Sequence, residues 1–108
     1  MSRTPSVDRR AEHDALRVVA VCQRLASLAE WIRDPRLSEP YEYARGVDVW
    51  ITIDGARCGI QVRPDDTTPI REARNDLVVI SCDVANGALL YRLHRVLSAR
   101  RRFIREHT

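Results

Sequence analysis

The sequence predicts an α/β protein, with a mixed sheet of three or four strands and long helices before and after it. The main observation is residues 47–63, VDVWITIDGARCGIQVR, where two β-branched runs meet at Asp54-Gly55, a strong short-range signal for a β-hairpin. A helical apolar repeat precedes this hairpin, and the apolar run LVVI at 77–80 follows it. That run shows little alternation, as expected of a strand covered on both faces.

The first helix is predicted to run from about Asp8 to Arg33, after a frayed arm at residues 1–7, and to end before Pro35. Its apolar residues fall at alternating spacings of three and four: Ala15, Val18, Cys22, Leu25, Ala29 and Ile32. Such a stripe is typical of a helix that packs on a sheet. The alternative is a coiled-coil pairing with a second copy, which would make the protein a homodimer.

The sequence predicts five further elements: a loop at 34–40, an edge strand at 41–45, a short helix at 68–74, a strand at 76–84 and a helix from about Asn86. About a dozen residues separate the hairpin from the last strand. This is near the minimum length for a crossover to a parallel neighbour, so the sheet is expected to be mixed. We expect one domain over residues 1–108.

The amino-acid composition limits the class of protein to which the sequence can belong. Apolar residues make up 44% and charged residues 31% of the 108 residues, which is ordinary for a globular domain. No apolar run approaches the roughly 20 residues of a membrane span, so we expect a cytoplasmic protein without a membrane partner. The three cysteines (Cys22, Cys58 and Cys82) are an odd count without CxxC spacing. They predict reduced, buried thiols rather than a zinc site or a disulfide framework.

All eighteen basic residues are arginine, and their charge is unevenly distributed. Residues 87–108 carry six arginines and one glutamate (+5), whereas residues 1–86 carry twelve arginines and fourteen acids (−2). A basic tail on a nearly neutral body indicates a polyanionic partner, DNA rather than RNA. The candidate phosphate-binding residues are Arg92, Arg95, Arg100, Arg101, Arg102 and Arg105, with the run 100–102 as a phosphate clamp. The alternative is a solvated helical face that suits the helix dipole.

The hairpin also predicts a polar cluster. With Asp54-Gly55 as the turn, Asp48 lies opposite Gln61; with the turn one residue later, Asp48 lies opposite Arg63. In either register Asp48, Gln61 and Arg63 share one side of the sheet. The opposite side receives the apolar residues of the first strand: Val47, Val49, Ile51 and Ile53.

The element order and the hairpin residues resemble the PD-(D/E)xK nuclease superfamily, in particular its Mrr-like and Holliday-junction-resolvase-like members. The matching residues are Gly46-Val47-Asp48-Val49 and Gly59-Ile60-Gln61-Val62-Arg63. In that superfamily an Asp opens one strand of a hairpin and (D/E)xK, or QxK in Mrr-like members, stands on the next strand. This sequence has Arg63 at the lysine position and Val47 at the position of the signature proline. The resemblance implies a restriction-endonuclease-like topology.

The resemblance also implies a site. Asp48, Gln61 and Arg63 would be its catalytic positions, and Mg²⁺ would be held by Asp48 with Glu12 or Glu30, which project from the same side of the first helix. Gln61 supplies only a neutral carbonyl oxygen, and Arg63 cannot accept a proton at any working pH. We therefore expect a protein that binds nucleic acid without cutting it; if it were active, it would be a Mg²⁺-dependent DNA endonuclease.

Other interpretations remain open. Asp48 and Arg63 can form an ordinary cross-strand ion pair, worth a few tenths of a kcal/mol at a surface. Glu12 and Glu30 would then be solvated helix residues, and the chain an unrelated α/β or α+β domain. Its function would be that of a non-catalytic structural or protein-interaction module.

Overall fold

The structure of the protein is a computed structural model that describes residues 5–72 and 74–107, with side chains from residue 11 onward in those ranges. The described chain contains, in order, α1 (Pro5–Leu28), β1 (Ile32–Leu37), α2 (Pro40–Tyr43), β2 (Val49–Ile53), β3 (Ala56–Arg63), β4 (Leu77–Ser81) and α3 (Asn86–Glu106). The predicted fold class is confirmed: the protein is α/β, with a four-stranded mixed sheet and long helices before and after it.

The strands form one sheet in the order β1-β2-β3-β4. The first two pairs are antiparallel, and β4 lies parallel to β3. The turn between β2 and β3 consists of Asp54 and Gly55, whose φ angles of 49° and 85° have the positive sign that a type I′ hairpin turn needs. Of the two predicted registers, the one with Asp54-Gly55 as the turn is present, because Val49 pairs with Ile60.

Both long helices pack on the same face of the sheet. One apolar cluster combines residues of α1 (Ala15, Val18, Cys22, Leu25), of α3 (Leu89, Leu93, Leu97) and of the sheet (Val49, Ile51, Ile53, Cys58, Ile60, Val78, Ile80). The predicted stripe on the first helix is therefore part of the protein's own core. It is not free to form the coiled-coil contact that the homodimer alternative requires.

The predicted end of the first helix is wrong. α1 ends at Leu28, and Ile32 begins β1, so Pro35 lies inside a strand rather than beyond a helix or in a loop. This strand is at the edge of the sheet, where proline removes no ladder hydrogen bond that a neighbour needs. The register of β1 shifts around Asp34, whose φ is 54°, as in a β-bulge. At the other end, α1 includes residues 5–7 of the predicted arm, while residues 1–4 of that arm lie outside the described part of the chain.

The predicted strand at 41–45 is also wrong, because residues 40–43 form the short helix α2. Pro40 stands in the first turn of α2, where its missing N–H costs nothing. The Glu42 carboxylate accepts the N–H of Glu39 at 2.6 Å, which satisfies one donor that the start of a helix leaves free. This hydrogen bond also holds the pKa of Glu42 below its usual range.

The segment between β3 and β4, described at residues 64–72 and 74–76, lies on the sheet face opposite the long helices, and we call these residues the strap. The predicted short helix at 68–74 does not form in its described residues. The alternation of the first hairpin strand also fails at its start. Val47 precedes β2 and lies beside Gly59 together with Trp50 and Leu77, on the strap side of the sheet.

Two further expectations can be compared with the structure. No helix in the described ranges has the length and apolar character to cross a membrane. The three cysteines are free and buried, as predicted. Burial raises the pKa of the Cys22 thiol to about 12, so this thiol stays protonated and unreactive.

Gly46 offers a test of the packing between hairpin and strap. Its φ is 89°, and an added Cβ would lie 2.5 Å from Glu72 Cβ. We expect Gly46→Ala to lower the free energy of unfolding by roughly 1–3 kcal/mol. In Gly87→Ala, the matched control in the first turn of α3, the new Cβ meets no atom within 4 Å. This control should raise the free energy of unfolding by up to about 1 kcal/mol, because alanine favours helices over glycine. Urea unfolding measures both, and a neutral Gly46→Ala would contradict the close packing.

Candidate functional site

A cavity of about 480 Å³ lies at the carboxyl end of β3. Its walls come from α1, the end of α2, the hairpin and the strap. The three residues predicted as a polar cluster, Asp48, Gln61 and Arg63, all line it. The structure therefore brings together the hairpin residues on which the resemblance rests, and each of them is bonded to the protein in a way that limits its chemistry.

Gln61 is 1% exposed, and its amide is fully engaged with backbone groups. Its Nε2 donates to the carbonyl oxygens of Gly46 at 3.2 Å and Glu72 at 3.1 Å. Its Oε1 accepts the N–H of Arg71 at 2.8 Å. Both amide hydrogens and the oxygen thus hold the strap against the hairpin, which gives Gln61 a structural role. These bonds fix the main chain of the strap at residues 71 and 72 against the hairpin.

Asp48 continues the hairpin ladder with its side chain. Its N–H donates to the carbonyl of Ile60 at 2.9 Å, which is the last main-chain bond of the hairpin here. The next donor on β3, the N–H of Val62, binds Asp48 Oδ2 at 2.6 Å instead of a carbonyl. The carboxylate therefore satisfies a backbone donor that would otherwise be left without a partner.

The ionic partner of Asp48 is Arg71, which lies on the strap. An Nη of Arg71 donates to Asp48 Oδ2 at 2.5 Å, and the guanidinium lies 4.2 Å from the centre of the Tyr43 ring. The cross-strand ion pair between Asp48 and Arg63, which one interpretation of the sequence allowed, is not present among the described residues. No sequence signal pointed to Arg71, because it belongs to neither strand of the hairpin and is placed only by the path of the strap.

Burial raises the pKa of the Asp48 carboxyl above its ordinary value. The hydrogen bond from Val62 and the charge of Arg71 act in the opposite direction without cancelling this effect. The side chain is only 5% exposed, so the ionised form depends on Arg71 in place of water.

Arg63 is turned away from Asp48. Its Nε donates to Ser81 Oγ at 3.0 Å, one Nη donates to the carbonyl of Thr68 at 3.0 Å, and the other lies 3.6 Å from Asp66. Arg63 thus fastens the strap to β4 rather than facing an acidic partner across the hairpin.

The residues of the cavity do not fit a Mg²⁺ site. Within the described ranges, no three His, Cys, Asp or Glu side chains are grouped as a metal ion requires, so Asp48, Glu12 and Glu30 are not brought together as a ligand set. Glu12 and Glu30 are both exposed. The Asp48 carboxylate already holds a guanidinium, a positive charge in the place of a cation, and Mg²⁺ requires several oxygen ligands in near-octahedral geometry.

The arginines of α3 fall into two groups. In the first group, Arg100 donates to the carbonyl of Leu77 at 3.2 Å, and Arg101 donates to Asp54 at 2.7 Å. Arg105 also lies 3.7 Å from Asp54. These three predicted phosphate-binding residues are held against the body of the protein, so the run 100–102 is not a continuous clamp.

The second group lines an open depression of about 740 Å³ along the solvent side of α3, formed by residues 88–102. We call the arginines of this depression, Arg92, Arg95 and Arg102, the basic face. Arg92 is anchored by an ion pair with Asp83 at 2.9 Å. Among the described residues, Arg95 contacts the ring of Tyr91, at 6.0 Å from its centre. Arg102 is exposed and has no ion pair or hydrogen bond with the described residues.

Comparison with known proteins does not assign the chain to a family. No family model matches the sequence, and neither a curated protein nor a solved structure matches it.

The pKa of Asp48 provides a test of the site. Because it is higher in the folded than in the unfolded protein, the folded state holds the proton more tightly, and the stability contributed by this group is present at low pH and lost as pH rises through the folded pKa. We expect Arg71→Gln to raise this pKa further, since the opposing positive charge is removed. Carboxyl ¹³C NMR titration measures both values. An Asp48 pKa below that of a model peptide, or one lowered by Arg71→Gln, would contradict the assignment.

Proposed function

We propose that the protein binds DNA through the basic face of α3 and does not cleave it. The observation that carries the proposal is that Arg95 and Arg102 are exposed on one side of a long helix and line the same depression as Arg92, which is paired with Asp83. Phosphate groups are the partners that such a row of guanidinium groups binds best, through charge and paired hydrogen bonds.

The charge around this face supports the proposal. From Asn86 to Arg105 the helix contains no acidic residue, so no carboxylate of α3 opposes a polyanion along this length. Arg95 and Arg102 are seven residues, or about two helical turns, apart and project from the same side. The residues between them in the depression are small, including Ser98 and Ala99. A phosphate backbone can therefore approach α3 closely between the two arginines.

The salt dependence of binding tests which arginines bind phosphate. Replacing Arg95 and Arg102 together by glutamine should flatten the slope of log K against log[salt] by roughly 1.8, at about 0.9 for each phosphate group that is no longer neutralised. Fluorescence anisotropy with labelled duplex DNA at several salt concentrations measures this slope.

The matched control is Arg100→Gln with Arg101→Gln, which removes the same charge from the same helix. These side chains are bonded to Leu77 and Asp54, so the slope should stay unchanged while the stability falls. Equal slopes for both double variants and the wild-type protein would show that the basic face does not bind phosphate.

We propose that the protein does not cleave DNA because the residues that line the cavity lack the chemistry for it. Gln61 brings no negative charge and uses its oxygen to hold the strap. Arg63 cannot remove a proton from water and is bonded elsewhere. The charge of Asp48 is balanced by Arg71. No residue of this set is left to activate a water molecule.

We expect no metal-dependent cutting of plasmid, linear duplex or branched junction DNA when purified protein is incubated with Mg²⁺ or Mn²⁺. Gel electrophoresis measures the products, and Asp48→Ala provides the control for contaminating nucleases. Cutting by the wild-type protein that disappears in Asp48→Ala would contradict the proposal. Cleavage by Arg63→Lys but not by the wild-type protein would show that Arg63 is the residue that prevents catalysis.

A further inference from the structure

Tyr91 lines the same depression as the arginines of the basic face, and phosphate binding does not explain its presence there. Its side chain is 66% exposed, although it is one of the largest apolar groups of α3. Among the described residues its ring contacts Arg95, whose guanidinium carbon lies 6.0 Å from the ring centre, at the upper limit for a cation–π pair. It belongs neither to the core cluster nor to its partly buried margin. Folding therefore gives no reason for an aromatic residue at this position.

We propose that the basic face binds single-stranded DNA, with an unpaired base stacked on the ring of Tyr91 and the adjacent phosphates held by Arg95 and Arg102. This inference rests on the proposed function and adds the class of its nucleic acid. An exposed aromatic ring next to arginines is the arrangement by which proteins hold unpaired strands without reading their sequence. In a duplex the faces of the bases are covered by their neighbours, so the ring would have no partner there.

The charge around Tyr91 distinguishes it from another tyrosine of equal exposure. Tyr41 on α2 is 68% exposed, but among the described residues no arginine contacts its ring, and the neighbouring Glu42 pairs with Arg36 and Arg57. Tyr91 instead adjoins Arg92 and lies one helical turn before Arg95. Of these two exposed rings, the one on α3 therefore has the charge that a nucleic-acid strand requires.

The test compares labelled oligo-dT with a duplex of the same length, by anisotropy at fixed salt. The wild-type protein should bind the single strand more tightly. Tyr91→Leu should weaken binding to oligo-dT about 5- to 150-fold, the range expected for the loss of one base–aromatic stack. Its binding to duplex should change less than about twofold. Its salt slope should stay that of the wild-type protein, because the variant keeps every arginine that binds phosphate.

Two variants serve as controls. Tyr91→Phe keeps the ring and should bind oligo-dT as the wild-type protein does. Tyr41→Leu removes a ring of similar exposure that lies outside the basic face, and it should have no effect. Loss of binding to both DNA forms in equal proportion, or an unchanged affinity of Tyr91→Leu for oligo-dT, would overturn the inference.

The outcomes separate this inference from the proposed function. If Tyr91→Leu has no effect while replacing Arg95 and Arg102 flattens the salt slope, the protein binds DNA through its phosphates alone and only the stacking inference fails. If the wild-type protein binds neither oligo-dT nor duplex, the proposed function and the inference both fail.

Discussion

The two-residue turn at Asp54-Gly55 determines which residues of β2 and β3 lie opposite each other, and the geometry of the cavity follows from it. Both turn residues have positive φ, which glycine adopts without steric cost and aspartate tolerates better than most residues. The resulting register pairs Val49 with Ile60, and the residues next to this pair, Asp48 and Gln61, line the cavity on the strap side. A slip of one residue would send one of these side chains to the apolar face. Asp54 also accepts the hydrogen bond of Arg101, so the same turn fastens α3 to the sheet.

The second constraint is that a buried amide and a buried carboxylate must both be satisfied. Gln61 meets this requirement with three backbone groups of the loop before β2 and of the strap, and Asp48 meets it with Val62 and Arg71. Both side chains therefore determine where the strap lies on the open face of the sheet. Packing therefore accounts for the hairpin pattern that resembles a catalytic site. The residues at the catalytic positions hold the strap, which connects β3 to β4. Removal of Arg71 would leave the carboxylate of Asp48, whose side chain is 5% exposed, without a compensating charge.

Sequence patterns predict those structural features that depend on residues close together in the chain. The Asp54-Gly55 turn, the period-2 alternation of β2 and the stripe on α1 are each fixed by neighbouring residues, and each is present. Pro35 predicts the end of a helix, but a proline at a sheet edge is equally acceptable, and sequence alone does not show which strand is at the edge. The side-chain pattern of the strap allows a helix, whereas two of its backbone groups are bonded to Gln61, which belongs to another element. Arg71 cannot be chosen as the partner of Asp48 without the path of the strap.

The number of arginines is larger than the number that a polyanion can reach. Among the described residues, arginine is the side chain that most often donates hydrogen bonds to backbone carbonyls. A guanidinium group presents five donors in a planar fork, so one side chain can satisfy several acceptors at once. Arg17 on α1 donates to the carbonyls of Cys82 and Val84 between β4 and α3, and Arg100 donates to the carbonyl of Leu77 at the free edge of the sheet. The bond of Arg100 covers a carbonyl on the edge strand β4 that could otherwise pair with another strand. What remains for a nucleic acid is a face with few free cations. With so few phosphate contacts, electrostatics alone gives weak binding that falls quickly with salt, and an additional contact such as base stacking is needed for useful affinity.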